Sequence, residues 1–210
     1  MKYTILYIDE DPSWIHQVYQ YFKDDFIVEK LLVDKNTSIE NILEPIKQSK
    51  IDCIVTDYLL DETGEVDFNG NIIVDEIRKL KPFFPITMLT AHEPEAVDNT
   101  EDAHIIYDKD SLNEENKLKI IISKIKSGIE SYYSKIENTE NRITELVKKR
   151  NEGKLIPKEE EELTKLFILF DELEPEGKGI PANLITTESI TKLNEFVNQT
   201  KEILENLKKK

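Results

Sequence analysis

The feature that most constrains the fold of this chain is the alternation of short apolar runs with amphipathic segments in its first half. Five runs have the length and composition of buried strands, namely YTILYI, FIVEKLLV, DCIVTD, PITMLT and AHIIY. The segments between them carry apolar residues at helical spacing. Strands that alternate with helices predict a parallel sheet covered by helices on both faces. We therefore expect an α/β fold with a five-stranded, doubly wound, flavodoxin-like sheet.

Local sequence signals place the starts of the predicted helices. Asp11 is a candidate N-cap, with Pro12 at the first helical position. Residues 37–40 (TSIE) and 111–114 (SLNE) each match a capping box, in which Ser or Thr is followed three positions later by Glu. Gly70 is predicted to open the third helix. These signals delimit the helices that connect the strands.

Charge and composition exclude several classes of function. The net charge of −15 argues against nucleic-acid binding, which depends on Lys and Arg contacts to phosphates. No stretch approaches the roughly 18 apolar residues of a membrane span, and Met1 is not followed by a signal-peptide pattern. The single cysteine, Cys53, excludes an internal disulfide and is predicted to be buried. We expect a cytoplasmic protein without nucleic-acid or membrane partners.

Polar residues mark the carboxyl ends of four of the predicted strands. Ligands of open α/β sheets bind beyond these ends, so the residues there are candidates for a site. They are Asp9-Glu10-Asp11, Asp57, Thr90-Ala91 and Lys109. One edge of the sheet would thus gather several carboxylates, a hydroxyl and an ammonium.

This set of groups suits Mg²⁺ and phosphoryl transfer. Clustered carboxylates repel one another unless a cation joins them, and oxygen ligands without His or Cys favour Mg²⁺. A carboxylate can attack phosphorus to form an aspartyl phosphate. A metal ion, a lysine and a hydroxyl can then stabilise the charge on the transferred group.

Four segments together resemble the receiver domain of two-component response regulators. They are ILYIDED, DCIVTD, GNIIVDEIRKLKPFFPITMLTA and DAHIIYDKD, and the resemblance covers about residues 1–128. It implies that Asp57 is the phosphoacceptor. It also implies that Asp9 and Glu10 hold Mg²⁺, with Asp57 and the backbone carbonyl of Leu59 as further ligands.

The resemblance assigns roles to two more strand ends. Thr90 matches the hydroxyl residue that binds the phosphoryl group, and Ala91 matches the small residue that leaves room for it. Lys109 matches the lysine that pairs with a phosphoryl oxygen. Such a protein would accept a phosphoryl group from a histidine kinase or phosphotransfer protein, and we expect no enzymatic turnover of its own.

A second resemblance places the nucleophile elsewhere. The segment IDEDPS is similar to the opening of haloacid-dehalogenase-like phosphatases, in which Asp9 would be the nucleophile. Those enzymes place a separate acidic pair after the strand that follows their lysine. Asp108 and Asp110 flank Lys109 directly, which leaves no room for that arrangement, and Asp57 would have no role. We favour the receiver.

The sequence departs from the receiver pattern after its lysine and after its phosphoacceptor. Asp110 follows Lys109 where receivers usually have proline, and a non-proline residue predicts a trans peptide bond. The loop 58–69 is long, and its acidic part, 61–69, contains Asp61, Glu62, Glu65 and Asp67. We interpret this part as a solvated acidic loop rather than a second metal site.

Two more departures concern the region through which receivers usually signal. The segment between Thr90 and Ala103 has room for only one or two turns of the fourth helix. Ile106 stands at the position of the family's switch aromatic, and Tyr107 lies one residue later. A one-residue step along a strand reverses the side chain's face, so Tyr107 is no simple substitute. Our hypothesis is that signalling uses other surfaces.

The remaining residues, 129–210, are predicted to form a helical interaction domain. An apolar seam at spacings of three and four runs from Leu118 to Leu146, as in about four heptads. Gly153 and Pro157 predict a turn into a second helix, and the stripe over 190–207 predicts a last one. These features favour a helical hairpin or bundle, with a coiled-coil homodimer as a compatible alternative.

The expected function is therefore that of a phosphoacceptor with a helical, non-DNA-binding output. The chain would pass its phosphorylation state to a downstream protein effector, or serve as an intermediate or sink in a phosphorelay. An adaptor that works without phosphorylation is the further alternative.

Overall fold

The computed structural model describes residues 2–48, 50–100 and 103–174 and contains a five-stranded parallel sheet. The strands are β1 (Thr4–Asp9), β2 (Ile27–Leu32), β3 (Cys53–Thr56), β4 (Ile86–Thr90) and β5 (Ile106–Asp108). Their order across the sheet is β2-β1-β3-β4-β5. This is the flavodoxin-like order, which reverses direction between β1 and β3. The predicted fold class is confirmed.

Helices connect the strands and continue beyond the last one. They are α1 (Pro12–Phe22), α2 (Ile39–Lys47), α3 (Gly70–Leu80), α4 (Glu93–Asp98), α5 (Glu115–Asn151) and α6 (Pro157–Leu173). Two 3-10 turns, Ala103–Ile105 and Lys109–Asn113, flank β5. The six residues of α4 agree with the one or two turns expected from the sequence.

Capping signals placed α1 correctly and two other helices incorrectly. The Asp11 carboxylate accepts a hydrogen bond from the Ser13 amide, as predicted for an N-cap. In α2 the cap is Ser38 with Asn41 as its reciprocal partner, one residue later than the predicted box. The predicted box at 111–114 is wrong, because Ser111 lies in a 3-10 turn and α5 begins at Glu115. The fifth strand is also shorter than AHIIY, since its first three residues form a 3-10 turn.

A continuous apolar cluster lies on one face of the sheet. It is formed by strand residues, by α1 and by the first part of α5, and its buried members are Ile5, Tyr7, Val18, Phe22, Phe26, Cys53, Val55, Leu89, Leu112, Ile121, Ile122, Ile125 and Ile129. The apolar seam between Leu118 and Ile129 therefore packs into the core of the sheet domain. Sequence spacing alone does not distinguish this packing from that of a coiled coil.

Contacts divide the chain into two units, residues 1–134 and 135–210. The last two turns of the first unit carry an aromatic cluster, in which Tyr133 stacks on Tyr3 and Tyr132 meets Phe84 edge to face. These rings fasten α5 to the first unit several residues beyond position 128. The functional division into 1–128 and 129–210 stays a prediction.

The described part of the second unit is an antiparallel helical hairpin. Arg142 forms a two-pronged ion pair with Glu162, with nitrogen–oxygen distances of 2.7 and 2.9 Å. Lys149 contacts Glu159 at 2.8 Å. Residues later in α5 thus pair with residues earlier in α6, which requires opposite helix directions. The predicted turn at Gly153 (φ +67°) and the start of α6 at Pro157 are confirmed.

The predicted last helix, over 190–207, lies outside the described residues. Among the helices that the structure describes, none combines the length and apolar character required to cross a membrane.

Candidate functional site

A buried lysine joins two carboxylates at the carboxyl ends of the strands. The Lys109 ammonium donates to Asp9 Oδ2 and to Asp57 Oδ2, each at 2.7 Å. Asp9, Asp57 and Lys109 are 0%, 4% and 2% exposed. The lysine follows β5 and reaches past β4 to residues that end β1 and follow β3. The structure therefore brings together three side chains that the sequence placed at separate strand ends.

Asp57 is held by the backbone as well as by Lys109. Its Oδ1 accepts a hydrogen bond from the Tyr58 amide at 2.7 Å. Gly70, at the start of α3, packs directly against this segment, and a Cβ there would lie 2.0 Å from the Asp57 carbonyl oxygen. The Gly70 amide also donates to the Tyr58 carbonyl at 2.7 Å. This requirement for glycine was not predicted from the sequence.

Asn69 fixes the start of the long loop that follows Asp57. Its Oδ1 accepts from the amides of Leu60 and Asp61, at 2.8 and 3.1 Å. The side chain thereby ties the loop to the beginning of α3. Sequence reasoning missed Asn69, because an Asn before a helix usually indicates an N-cap and here its side chain makes no cap bond.

Two aromatic residues, one in β1 and one in α1, also reach the site. The Tyr7 hydroxyl donates to Asp9 Oδ2, the oxygen that also receives the Lys109 ammonium. The Lys109 nitrogen lies 5.0 Å from the centre of the Trp14 ring, within cation–π distance. Tyr7 lies two residues before Asp9 on the same strand and hence on the same face, which is the signal that could have revealed it.

Charge is unbalanced in this cluster. Burial raises the pKa of Asp57 above its ordinary value, although the Lys109 ammonium acts in the opposite direction. Burial also raises the pKa of Glu10 to about 7, and Asp9 and Asp57 add to the effect. Burial disfavours the charged form of Lys109, but the carboxylates of Asp57 and Asp9 outweigh it and raise the lysine's pKa. Three carboxyl groups thus share one ammonium.

The same three carboxyl groups fit a divalent cation. Asp9, Glu10 and Asp57 each offer an oxygen, and these atoms lie within 4.8 Å of one another. Glu10 Oε2 is buried without a hydrogen-bond partner, so it is free to accept a cation. Carboxylate oxygens alone suit Mg²⁺, and a divalent charge would offset the excess of carboxylates. The ligand role of the Leu59 carbonyl stays a prediction.

No second cluster of this kind involves the acidic loop. Among the described residues, only Asp9, Glu10 and Asp57 bring three such ligand atoms together. Asp61, Glu62, Glu65 and Asp67 are exposed, as expected for a solvated loop, and the lack of a second metal site there stays a prediction.

Thr90 ends β4 between the strands that lead to Asp57 and Lys109. It is fully buried, and its hydroxyl oxygen accepts a hydrogen bond from the His92 amide at 3.0 Å. The hydroxyl proton remains available to an acceptor, as phosphoryl binding requires. Its role toward a phosphoryl group stays a prediction. The peptide bond after Lys109 is trans, as expected, because none of the described peptide bonds is cis.

Tyr107 faces away from Thr90 in the strand register. Tyr107 pairs with Leu89 and packs against the apolar cluster, whereas Thr90 pairs with Asp108. Since successive side chains alternate between faces, the ring lies on the α5 side of the sheet, with the Lys124 ammonium 4.9 Å from its centre.

Solved structures share this fold at low sequence identity. A structure described as adenylate cyclase from Rhodopirellula baltica is 20% identical, with 67% of this chain and 98% of that chain covered and a TM-score of 0.50. A BeF₃-activated DrrB receiver domain is 20% identical, with coverages of 62% and 99% and a TM-score of 0.45. The receiver domain of a histidine kinase from Arabidopsis thaliana, complexed with Mg²⁺ and BeF₃⁻, is 21% identical, with coverages of 60% and 90% and a TM-score of 0.46.

No protein-family model matches the chain, and no curated protein matches it. Because the solved structures are only 20–21% identical in sequence to this chain, their similarity to it is a similarity of fold. The roles of individual residues must therefore be argued from the contacts in this chain.

The contacts do not favour the phosphatase. Lys109 follows β5, and no further strand occurs in the described part of the chain after it. Asp108 instead accepts a hydrogen bond from the Asp110 amide at 3.0 Å and caps the 3-10 turn. The acidic pair that a phosphatase of this type would need after the next strand is thus not provided by the flanking acids.

Proposed function

We propose that this chain is a response-regulator-like phosphoacceptor that carries a phosphoryl group on Asp57. The observation that carries the proposal is the buried bridge from Lys109 to both Asp57 and Asp9 at the carboxyl ends of the strands. A bridge between two carboxylates places a cation where charge would develop on a transferred group. The acidic cluster around it supplies the ligands for Mg²⁺.

The proposed reaction is a direct transfer to the carboxylate. An oxygen of Asp57 attacks the phosphorus of a phosphohistidine in a kinase or phosphotransfer protein. The phosphorus–nitrogen bond breaks, the imidazole keeps the electron pair and takes a proton, and an acyl phosphate forms on Asp57. Lys109 would then pair with a phosphoryl oxygen, and the Thr90 hydroxyl would donate to another.

Mg²⁺ would be held by Asp9, Glu10, Asp57 and the carbonyl of Leu59. When bound, it supplies positive charge that offsets the negative charge of the phosphoryl oxygens. Every proposed ligand atom is an oxygen, which is the type of donor atom that Mg²⁺ prefers.

The proposed partners follow from the same reaction. A cytoplasmic histidine kinase or phosphotransfer protein would donate the phosphoryl group, and a downstream protein effector would read the result. The helical region 129–210 would be an interaction module that contacts the effector or forms a homodimer, without DNA binding. The described hairpin, whose helices are joined by ion pairs such as Arg142–Glu162, would supply the helical surface for these contacts.

Labelling with acetyl phosphate tests the proposed activity. We expect stable label on the unsubstituted chain in Mg²⁺ buffer, and loss of labelling when EDTA removes the ion, because the acidic cluster repels the phosphodonor without it. Incubation with p-nitrophenyl phosphate provides the control and should give no sustained turnover. Sustained turnover would support the phosphatase, and absence of label with intact folding would support the adaptor.

The output is expected to bypass the aromatic switch of other receivers. Ile106 is 7% exposed and pairs with Met88, while Tyr107 is fixed on the α5 face by the core and Lys124. Structures with and without beryllofluoride should therefore differ little in the side-chain rotamer of Tyr107. A large swing of that ring toward Thr90 on activation would contradict this expectation.

A further inference from the structure

Tyr7 combines a position in the apolar core with a polar contact in the site. Its side chain is fully buried among β1, α1 and α5. A buried phenol requires a hydrogen-bond partner, and this one donates to Asp9. A phenol carries a single proton, so this donation commits the hydroxyl to the one carboxylate.

Asp9 is held by three donors of different kinds. Oδ1 accepts from the Asp11 amide at 2.9 Å, and Oδ2 accepts from Lys109 at 2.7 Å and from Tyr7. The Lys109 ammonium is shared with Asp57. In the proposed function, Lys109 turns to a phosphoryl oxygen, and the Tyr7 hydroxyl is then the side-chain donor that stays on Oδ2.

We propose that Tyr7 is a positioning residue for the Mg²⁺ site and acts through Asp9. The hydroxyl fixes the orientation of the Asp9 carboxylate. One Asp9 oxygen is thereby held close to oxygens of Glu10 and Asp57, where all three can bind the same ion. Groups that orient a metal ligand in this way contribute to affinity without touching the metal. The inference rests on the proposed function, because it assumes that the acidic cluster binds Mg²⁺.

The ring and the hydroxyl of Tyr7 have separable tasks. The ring fills the core between α1 and α5, whereas only the hydroxyl reaches Asp9. Tyr7→Phe removes the hydroxyl and keeps the ring. Tyr21→Phe is the matched control, since Tyr21 also packs against the apolar cluster and its hydroxyl donates to the Asn113 amide oxygen at 2.7 Å.

Titration with MgCl₂ tests the inference on the full chain. Calorimetry measures the affinity, and emission of Trp14, the single tryptophan, reports the surroundings of Lys109. We expect the Kd for Mg²⁺ to rise about tenfold in Tyr7→Phe, as for other groups that orient a metal ligand, and to stay unchanged in Tyr21→Phe. Circular dichroism verifies that each variant is folded.

The possible results separate the inference from the proposed function. Absence of saturable Mg²⁺ binding in the unsubstituted chain overturns both. Binding that is equal in the unsubstituted chain and Tyr7→Phe, or equally weakened in Tyr21→Phe, overturns the role of Tyr7 alone. If Tyr7→Phe does not fold, the same titrations are made in a Gly128→Ala background. This substitution is expected to stabilise α5, because alanine favours a helix more than glycine does and the added Cβ meets no atom within 4 Å.

Discussion

Asp57→Asn is expected to reduce phosphoryl labelling by acetyl phosphate to the background level. An amide is a poor nucleophile and cannot form the acyl phosphate that a carboxylate forms. The substitution is nearly isosteric. In the unsubstituted protein the Tyr58 amide and Lys109 each donate to one oxygen of the Asp57 carboxylate, and the single amide oxygen of asparagine can still accept from one of them. Loss of label should therefore occur in a folded protein.

Asp9→Asn is the matched control, because Asp9 belongs to the same cluster and binds the same lysine. In this variant Asp57 remains, so label should still appear, although more slowly and at higher Mg²⁺ concentration. Mapping of the phosphopeptide and cleavage of the label by hydroxylamine identify the acyl phosphate. Label that survives Asp57→Asn and disappears in Asp9→Asn would point to the phosphatase chemistry instead.

The parallel arrangement of the strands explains why the convergence of the central candidate residues could be predicted from the sequence. Parallel strands present their carboxyl ends at one edge, so Asp9, Asp57 and Lys109 had to converge once the five strands were recognised. The contacts of Lys109 with both carboxylates agree with that expectation. Convergence at an edge is a property of topology and needs no knowledge of side-chain rotamers.

Side chains that reach the site from the core could not be predicted in the same way. Tyr7 and Trp14 satisfy the apolar periodicity of a strand and a helix, and that pattern accounts for their rings. Their contacts with Asp9 and Lys109 depend on the final positions of the Tyr7 hydroxyl and the Trp14 ring. Those positions are set by the packing of the helices against the sheet. Gly70 was likewise assigned only as a helix start, because its close approach to Asp57 arises in three dimensions.

The predicted start of α5 was wrong because two local signals compete there. The sequence SLNE at 111–114 matches a capping box, but Asp108 caps a 3-10 turn over Lys109–Asn113 that includes most of this box. The helix then begins at Glu115. The apolar seam from Leu118 was ambiguous for a different reason, since a helix needs the same spacing to pack on a sheet or on another helix.

Gly70→Ala is expected to destabilise the protein by about 3 kcal/mol or more and to disturb the phosphoacceptor. A Cβ at this position would lie 2.0 Å from the Asp57 carbonyl oxygen and 3.1 Å from Tyr58 Cα. Both are backbone atoms, so no flexible side chain can yield, and overpacking of this kind typically costs about 1–3 kcal/mol, occasionally more. Relief requires α3 or the segment after β3 to shift.

Gly128→Ala provides the control for helix propensity. Gly128 lies within α5, and a Cβ there meets no atom within 4 Å. Alanine should therefore stabilise this helix by up to about 1 kcal/mol. Urea unfolding of both variants measures the two effects, and their opposite signs would assign the cost at Gly70 to the clash rather than to the loss of a glycine.

The two glycine variants also connect stability with the site. Because the atom that the added Cβ would clash with belongs to Asp57 itself, we expect slower labelling by acetyl phosphate even at temperatures where the variant is fully folded. Gly128→Ala should label at the rate of the unsubstituted chain. If Gly70→Ala proves as stable and as reactive as Gly128→Ala, α3 does not constrain the phosphoacceptor, and the positioning of Asp57 must depend on Tyr58 and Lys109 alone.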